Sequence, residues 1–337
     1  MAKSRSSSDV VVSTRIRFAR NIKGNPFPGR MTGEQKINLR QEIFDRFKEY
    51  SIGFKQEFSY LRLEELSDIE AFSLVERHLM SPVHAEARKG KGLILSDDNS
   101  ISIMINEEDH LRIQVIFKGQ EILSAYEIAD KIDTLLDQCL TFSFDGQFGY
   151  LTQCPTNLGT GMRASVMLHI PALEEQNDIN RLANNLSKMG LALRGFFGEG
   201  TSSVGGFYQL SNQVSLGLSE EEALDNVIKI TEEIIIIERR GRAELIKNVS
   251  ILDNIHRSLG ILKSARLMRI SECNSLFSLA RLGAATGILS LDSDIVDNLL
   301  FCVYPATLMV NNKSAENDLQ RHSLRAEIIR NTLEGVI

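Results

Sequence analysis

The chain has 337 residues, 43% of them apolar and 24% charged, and a net charge of −6. That length carries one large or two smaller domains with full cores, and the composition is that of an ordinary globular protein. The negative balance gives no support to nucleic-acid binding. No apolar run approaches the ~20 residues of a membrane span. The longest, from Ile228 to Ile237, is interrupted by Lys229, Glu232 and Glu233.

Met1 to Asp9 is polar and serine-rich with no hydrophobic signal core, which predicts a flexible arm and a cytoplasmic protein. Val10 to Val12 reads as a strand running into Ser13-Thr14-Arg15-Ile16-Arg17-Phe18-Ala19-Arg20. Thr32 with Gln35 is a capping box for a helix to about Tyr50, and Leu66 to Leu79 reads as a second helix ending near Ser81-Pro82. Ile101, Ile103 and Ile105 alternate, as do Ile113, Val115 and Phe117, so the Glu107 to His110 segment between them is expected at a hairpin end. A helix over Tyr126 to Leu140 and strands over Gly149 to Thr152 and Ser165 to Ile170 follow. Next come a helix over Asp178 to Met189 and a hairpin over residues 204–216. Runs of strands with separate helices, rather than βαβ repeats, argue for an α+β fold with an antiparallel sheet. Ser219 with Glu222 opens a helical remainder, with breaks expected near Gly241, Gly260, Gly287 and Pro305. A boundary near 245 divides the chain into domains 1–245 and 246–337.

Cys139, Cys154, Cys273 and Cys302 form no C-x-x-C pair and have no His neighbour at ligand spacing, so no structural metal site is predicted. Cys139, Cys273 and Cys302 sit in apolar contexts and read as small core residues.

Three cassettes carry chemistry: Asn106-Glu107-Glu108-Asp109-His110-Leu111-Arg112, Cys154-Pro155-Thr156-Asn157-Leu158-Gly159-Thr160-Gly161-Met162-Arg163, and Arg194-Gly195-Phe196-Phe197-Gly198-Glu199. Arg15 and Arg17 alternate on a strand and share a face. With Arg112, Arg163 and Arg194 they make a set of guanidinium groups able to grip a polyphosphate without a P-loop. Taken singly, each arginine reads as an ordinary surface ion-pair partner. The Asn157 to Gly161 turn can present backbone amides to an anion. Neither a Walker nor a Rossmann glycine motif occurs. Glu108 and Glu199 are candidates to orient a cationic substrate and take its proton. Cys154 is either a thiolate beside that cation or an inert thiol.

On these cassettes the chain resembles the phosphagen (guanidino) kinases, and within them the bacterial protein-arginine kinases. The resemblance covers residues 10 to 245 and extends through the C-terminal helices for the bacterial group. It implies a large antiparallel sheet flanked by helices, followed by an all-helical C-terminal dimerisation and regulatory domain. It implies Mg2+ and ATP, and in-line transfer to a guanidinium nitrogen. Glu108 and Glu199 would bind and activate the guanidinium, with Cys154 beside it and Arg112 in the catalytic set. Arg15, Arg17, Arg112, Arg163 and Arg194 would hold the phosphates. Ser13, Thr14, Ile16, His78, Ala164, Ser165, Val166, Met167, Gly195, Phe196, Phe197, Gly198 and Glu199 would line the nucleotide site.

Two departures from the animal enzymes favour a protein substrate with exposed arginines: no helical domain precedes the Ser13 to Arg17 segment, and helices follow the catalytic part. The resemblance further implies a homodimer or larger oligomer, a zinc-containing activator protein, a heat-shock repressor and a Clp-type AAA+ protease in stress response. The apolar helix around Leu276 to Ala284 points to self-association as well. A phosphoarginine pocket is implied at Arg321, His322, Arg325 and Ala326, on an exposed surface where Arg321 and Arg325 share an anion. His322 stands where relatives carry aspartate, which weakens such binding. The competing readings are a small-molecule guanidino kinase and a non-catalytic phosphoarginine-binding adaptor.

Overall fold

The structure is a computed structural model that describes residues 7–196, 204–312 and 317–334. Among the described residues ten strands are formed: β1 (Val11–Arg20), β2 (Phe58–Arg62), β3 (Gly92–Ser96), β4 (Ile101–Ile105), β5 (Leu111–Lys118), β6 (Phe144–Asp145), β7 (Gly149–Tyr150), β8 (Met162–His169), β9 (Leu191–Gly195) and β10 (Phe207–Asn212). The helices are α1 (Gly33–Tyr50), α2 (Asp68–Glu76), α3 (Pro82–Ala85), α4 (Ile122–Leu140), α5 (Pro171–Glu175), α6 (Ile179–Lys188), α7 (Glu220–Leu245), α8 (Val249–Ser264), α9 (Ile270–Thr286), α10 (Ser293–Cys302), α11 (Pro305–Asn311) and α12 (Asp318–Glu334). None of the described helices is by itself long and apolar enough to cross a membrane.

Eight strands pair antiparallel in the order β2-β3-β4-β5-β1-β8-β10-β9, so β1 lies in the interior of the sheet. Alternation along each strand splits the sheet into two unlike faces. One carries Ile16, Phe18, Ile113, Val115, Ala164, Val166 and Leu210, all buried in the main core. Helix α4 packs on β1 and β5 there, and α7 on β8 and β10. The other face carries the arginines. Capping boxes at Thr32, Ser67 and Ser219 fix the starts of α1, α2 and α7 by satisfying the first free backbone donors.

Three expectations are corrected. Residues 204–216 hold one strand, β10, rather than a hairpin, and its outer partner is β9. Arg194 therefore lies within a strand. The helices run through Gly241 and Gly260 without a break. At Gly241 the missing side chain lets α7 approach α5, where an added Cβ would meet Ala172 Cβ at 3.0 Å. Finally, Cys302 is exposed and Cys139 only partly buried, whereas Cys273 is a core residue.

The C-terminal helices are not free of the sheet. A second core joins Ile255, Phe277, Leu300, Tyr304 and Ile329 to Val12, Met167, Phe196 and Phe207 from the strand region. The apolar faces of α9 are thus met inside the chain, by α8, α10 and this core, which removes the apolar-helix argument for self-association. Polar ties reinforce the junction. Arg281 on α9 pairs with Asp297 on α10 at 2.6 Å and also donates to the Ser8 and Asp9 carbonyls. Arg242 pairs with Glu238 at 2.8 Å and donates to the carbonyls of Asp9 and His169. His169 Nδ1 faces both guanidinium groups, and burial followed by these two charges pushes its pKa well down, so it is a neutral acceptor. Glu76, the last residue of α2, accepts from the backbone N–H groups of Ala306 and Thr307 and from the Thr307 hydroxyl, fastening the N-terminus of α11.

Replacing Arg281 with Leu leaves Asp297 buried without its partner and frees the N-terminal carbonyls. The expected loss is about 3–5 kcal/mol, the range for breaking a buried pair from one side. Urea unfolding followed by circular dichroism measures it, and a loss below 1 kcal/mol contradicts the assignment.

Candidate active site

Cross-strand register brings the arginines of separate segments together. Arg17 on β1 stands opposite Arg163 on β8 and Gln114 on β5. Arg15, two residues earlier, stands opposite Ser165 and Ile116 on the same face. Arg194 on β9 lies opposite Gln209 on β10, which is itself opposite Met167. Arg112 lies opposite Ala19, whose small side chain leaves room beside it. A cleft of about 440 Å3 is lined by Arg15, Arg17, Arg112, Arg163 and Arg194, together with Glu108 and Cys154.

The charges in this cleft are unbalanced. Arg112 is neutralised: its Nη1 donates to Glu107 at 2.9 Å and its Nη2 to Glu108 at 3.2 Å. Arg15 and Arg17 make no ion pair among the described residues, and Arg17 Nε is buried without a hydrogen-bond partner. Burial, then Arg163 and Arg112, push the Arg15 pKa down to about 10. Burial, then Arg15, Arg112 and Arg163, push that of Arg17 further. Guanidinium groups crowded in this way favour an anion between them.

The hairpin cassette divides its labour. Asn106 takes a left-handed conformation with φ of 59° and ties the turn to the carbonyls of Lys36 and Gly90. Glu107 is almost wholly buried. Burial opposes its ionisation, but Arg112, the Ser81 hydroxyl and the Glu108 N–H hold it below the usual carboxylate range. Asp109 Oδ1 accepts from Asn21 at 2.6 Å and from the Gln153 N–H at 2.7 Å, which fixes the segment just before Cys154. His110 accepts the Ile22 N–H on Nδ1 and faces the Pro26 carbonyl through Nε2, which makes it a neutral structural histidine. Of the three acids, Glu108 is the one that lines the cleft. Burial raises its pKa, and Arg112 only partly offsets this.

In the glycine cassette, Gly159 and Gly161 have φ of 96° and 62°. A Cβ at Gly159 would meet the Ser215 carbonyl at 2.4 Å, and one at Gly161 the Ala19 carbonyl at 2.7 Å. These glycines permit close chain packing. The N–H groups of Asn157, Leu158, Gly159 and Thr160 are taken by Cys154, Pro155, Phe148 and Ser215 carbonyls, so they do not form the anticipated amide cradle. Cys154 lines the cleft with its Sγ 3.1 Å from the Thr156 hydroxyl. Arg163 is steadied by a bond from its Nε to the Asn212 carbonyl.

A second cavity of about 670 Å3 adjoins the first and shares Arg15, His78 and Gln209 with it. Ser13, Ser165 and Met167 line it on the sheet side, and Asn298, Phe301 and Cys302 on the C-terminal side. Burial, then Arg15, push the pKa of His78 down to about 3, so its ring is neutral, edge-on to Phe196 and Phe301. The side chains of Thr14, Ile16, Ala164 and Val166 do not line either cavity. The alternation that turns Arg15 and Arg17 inward turns these four into the opposite face, where they are buried. Phe196 is a core residue and Gly195 lies in β9. Phe197, Gly198 and Glu199 lie outside the described residues.

The description "ATP:guanido phosphotransferase, C-terminal catalytic domain" matches residues 38–241. The chain belongs to the ATP:guanido phosphotransferase family. Residues 248–336 match the "Protein-arginine kinase McsB C-terminal domain". The chain is 42% identical to the protein-arginine kinase of Caldanaerobacter subterraneus over 96% of its own length and 97% of that protein. It is 37% identical to that of Bacillus subtilis, over 97% and 90%. Within the guanido phosphotransferases it therefore belongs with the protein-arginine kinases. The duplicated taurocyamine kinase from Schistosoma mansoni with transition-state analogue components has a TM-score of 0.63 and 25% identity, over 86% of this chain and 39% of that one. Lombricine kinase has the same fold, with a TM-score of 0.62 over 70% of this chain and 68% of that one.

The C-terminal segment of this guanido phosphotransferase departs from the surface expected for it. Arg325 is buried, and its Nε and Nη1 donate to the carbonyls of Val303 and Met268 at 2.8 Å each. Ala326 is also buried. Arg321 pairs with Asp318 and stays partly exposed, beside a half-buried His322. Arg321 and Arg325 thus do not present a shared anion site on an open face. Among site residues, sequence reasoning passed over Glu107, Asp109 and Asn21, which hold Arg112 and the approach to Cys154. The signal was present: Glu107 and Arg112 flank one hairpin end, where opposite charges meet.

Two measurements follow. Arg17→Met removes a guanidinium that makes no ion pair among the described residues. It is expected to raise stability without nucleotide by about 1–3 kcal/mol, the cost of an unpaired buried polar group, and to weaken ATP binding by about 1.5–3 kcal/mol. Thermal unfolding and calorimetry read the two effects, and a destabilised variant with normal ATP affinity contradicts the scheme. For Glu108, the ionised carboxylate is lost as pH falls through its raised pKa. The acid limb of kcat/KM should then lie above the ordinary glutamate value of about 4.3. Glu108→Gln should remove that limb and lower turnover by ~10²-fold or more. A limb unchanged in the variant assigns it to another group.

Proposed function

We propose that this chain transfers the γ-phosphoryl group of ATP to the guanidinium of arginine side chains in proteins. The observation that carries this reading is one cleft in which a row of arginines, two of them without an ion-pair partner among the described residues, meets Glu108, a glutamate with a raised pKa. The phosphates would be held by Arg15, Arg17, Arg163 and Arg194, and the nucleoside by the cavity beside His78. Arg112, fixed between Glu107 and Glu108, would bridge phosphate and acceptor. Among the described residues no group of three or more His, Cys, Asp or Glu side chains is arranged for a metal. Mg2+ would be bound through the nucleotide phosphates and supply further neutralisation of charge. Glu108 takes a proton from the acceptor guanidinium, whose nitrogen then bonds to the γ-phosphorus. The bond from that phosphorus to the bridging oxygen breaks, and ADP leaves. The arginines gain contact strength as negative charge shifts onto the leaving group. Cys154 and Glu199 belong to the acceptor side of this scheme.

The wider reading assigns residues 1–245 to catalysis and 246–337 to regulation and dimerisation. It places the protein in the cytoplasm with a zinc-containing activator, a heat-shock repressor and a Clp-type protease as partners. Phosphoarginine recognition near Arg321 and His322 would proceed with little help from the inward-facing Arg325.

The deciding experiment incubates the full chain with Mg-ATP and either free arginine or an arginine-bearing protein, and measures acid-labile phosphate on each. Phosphate on the protein, lost in Glu108→Gln, is expected. Phosphate on free arginine alone supports a small-molecule kinase, and none on either supports a binding adaptor.

A further inference from the structure

The larger cavity is closed on one side by a helix from the C-terminal part of the chain. Asn298, Phe301 and Cys302 of α10 line it, together with Ser13, Ser165 and Met167 from the sheet. Two contacts fix how α10 lies. Asp294, in its first turn, pairs with Lys118 Nζ at 3.0 Å, and Lys118 stands opposite Ser13 in the ladder. Phe301, two turns later, meets the His78 ring edge-on, with 5.6 Å between centroids. Arg15 and His78 line both the cavity and the arginine cleft, whereas Arg17 lines only the cleft, and Ser13 and Lys118 only the cavity. Helix α10 therefore runs lengthwise along the cavity, from its far end at Lys118 to its junction with the cleft at His78. Asn298 stands between these fixed points, four residues after Asp294 and three before Phe301, a spacing that puts all three on one side of the helix. Its amide makes no hydrogen bond among the described residues. Asp297 beside it also lines the cavity but is committed to Arg281.

We propose that Asn298 is a nucleotide-specificity residue, whose side-chain amide pairs with the edge of an adenine base held in this cavity. The inference rests on the kinase reading, in which the phosphates occupy the arginine cleft, and adds to it a contact from outside the catalytic strands. A nucleotide is laid out in order: phosphates, sugar, base. With the phosphates at Arg17 and Arg15, the chain of the ligand crosses the junction at His78. Ser13, the next residue on that face of β1, is about 6–7 Å farther on. The base then falls along the stretch that α10 spans, where Asn298 is the amide that lines the wall between the two fixed points. An amide sets one donor and one acceptor side by side. The adenine edge offers the complementary pair, an amino donor and a ring-nitrogen acceptor, whereas a base with a carbonyl in place of the amino group offers two acceptors. Against such a base the amide oxygen of Asn298 is left without a donor.

The test measures kcat and KM of the full chain for ATP and for ITP, whose base carries a carbonyl oxygen in place of the adenine amino group. Mg2+ is present and one arginine-bearing protein is the acceptor. A kcat/KM about tenfold higher for ATP is expected, the scale of one well-placed pair of hydrogen bonds to a base edge. Asn298→Ala should bring the two values together by raising the KM for ATP, and calorimetry with ATP alone should show the same weakening. The fold tolerates this change, because the position is exposed on a helix, where alanine is favoured. A ratio that survives Asn298→Ala overturns the proposal and leaves the kinase reading intact. So does near-equal use of ATP and ITP by the unsubstituted chain. A variant that loses equally with both nucleotides assigns Asn298 to the shape of the cavity, which also overturns the proposal. Transfer from neither nucleotide overturns the kinase reading and this inference together.

Discussion

Two guanidinium groups, Arg15 and Arg17, project from the same face of an interior strand and form no ion pair with a carboxylate among the described residues. Their neighbours across the ladder include a third, Arg163. A folded chain tolerates this crowding only if the surrounding structure fixes it. Here the fixing is done by a sheet whose other face is a continuous apolar core, with α4 and α7 laid against it. The hydrophobic face determines the register, and the register determines where the like charges stand. Stability is generated on one side of the sheet and part of it is given up on the other, which leaves the cleft poised for a polyanion.

Selective neutralisation shapes the acceptor end. The cassette from Asn106 to Arg112 contains three acids, but their environments set them to different tasks. Glu107 is buried and committed to Arg112. Asp109 is committed to Asn21 and the chain before Cys154. Glu108 shares Arg112 and keeps a face to the cleft. One arginine between two glutamates therefore has two effects. It keeps Glu107 charged inside the protein, and it moderates the rise in the Glu108 pKa without abolishing it. A base with an elevated pKa accepts a proton more readily than an ordinary surface carboxylate.

Much of this was legible in the chain. The two-residue spacing of Arg15 and Arg17 implied a shared face, and the alternating isoleucines located β4 and β5 with the acidic hairpin end between them. The same alternation also argued against Thr14, Ile16, Ala164 and Val166 as lining residues, which were placed by resemblance to a contiguous motif rather than by their side-chain direction. Strand β9 was missed because Leu191 to Gly195 is short and follows directly on a helix, so its extended form depends on pairing with β10. The burial of Arg325 had no sequence signature. Its acceptors are the carbonyls of Met268 and Val303, which lie just outside α9 and α10 and whose positions are set by tertiary packing. Gly241 and Gly260 suggested helix ends, yet both sit inside long helices, where burial of the surrounding apolar face outweighs a glycine's modest cost.

The fastening of α11 by Glu76 bears on how such a protein can diversify. Two family descriptions tile this chain side by side, which invites the view of two exchangeable parts. Yet Glu76 belongs to the first and grips the helix start of the second, two positions before His78, which lines the larger cavity. Val12, Met167, Phe196 and Phe207 likewise need the C-terminal helices to cover them. Recombination at the visible seam would separate a catalytic half from its own cavity wall. The two halves are therefore constrained to drift together, and a change in the C-terminal helices is felt first by the residues of the shared cavity.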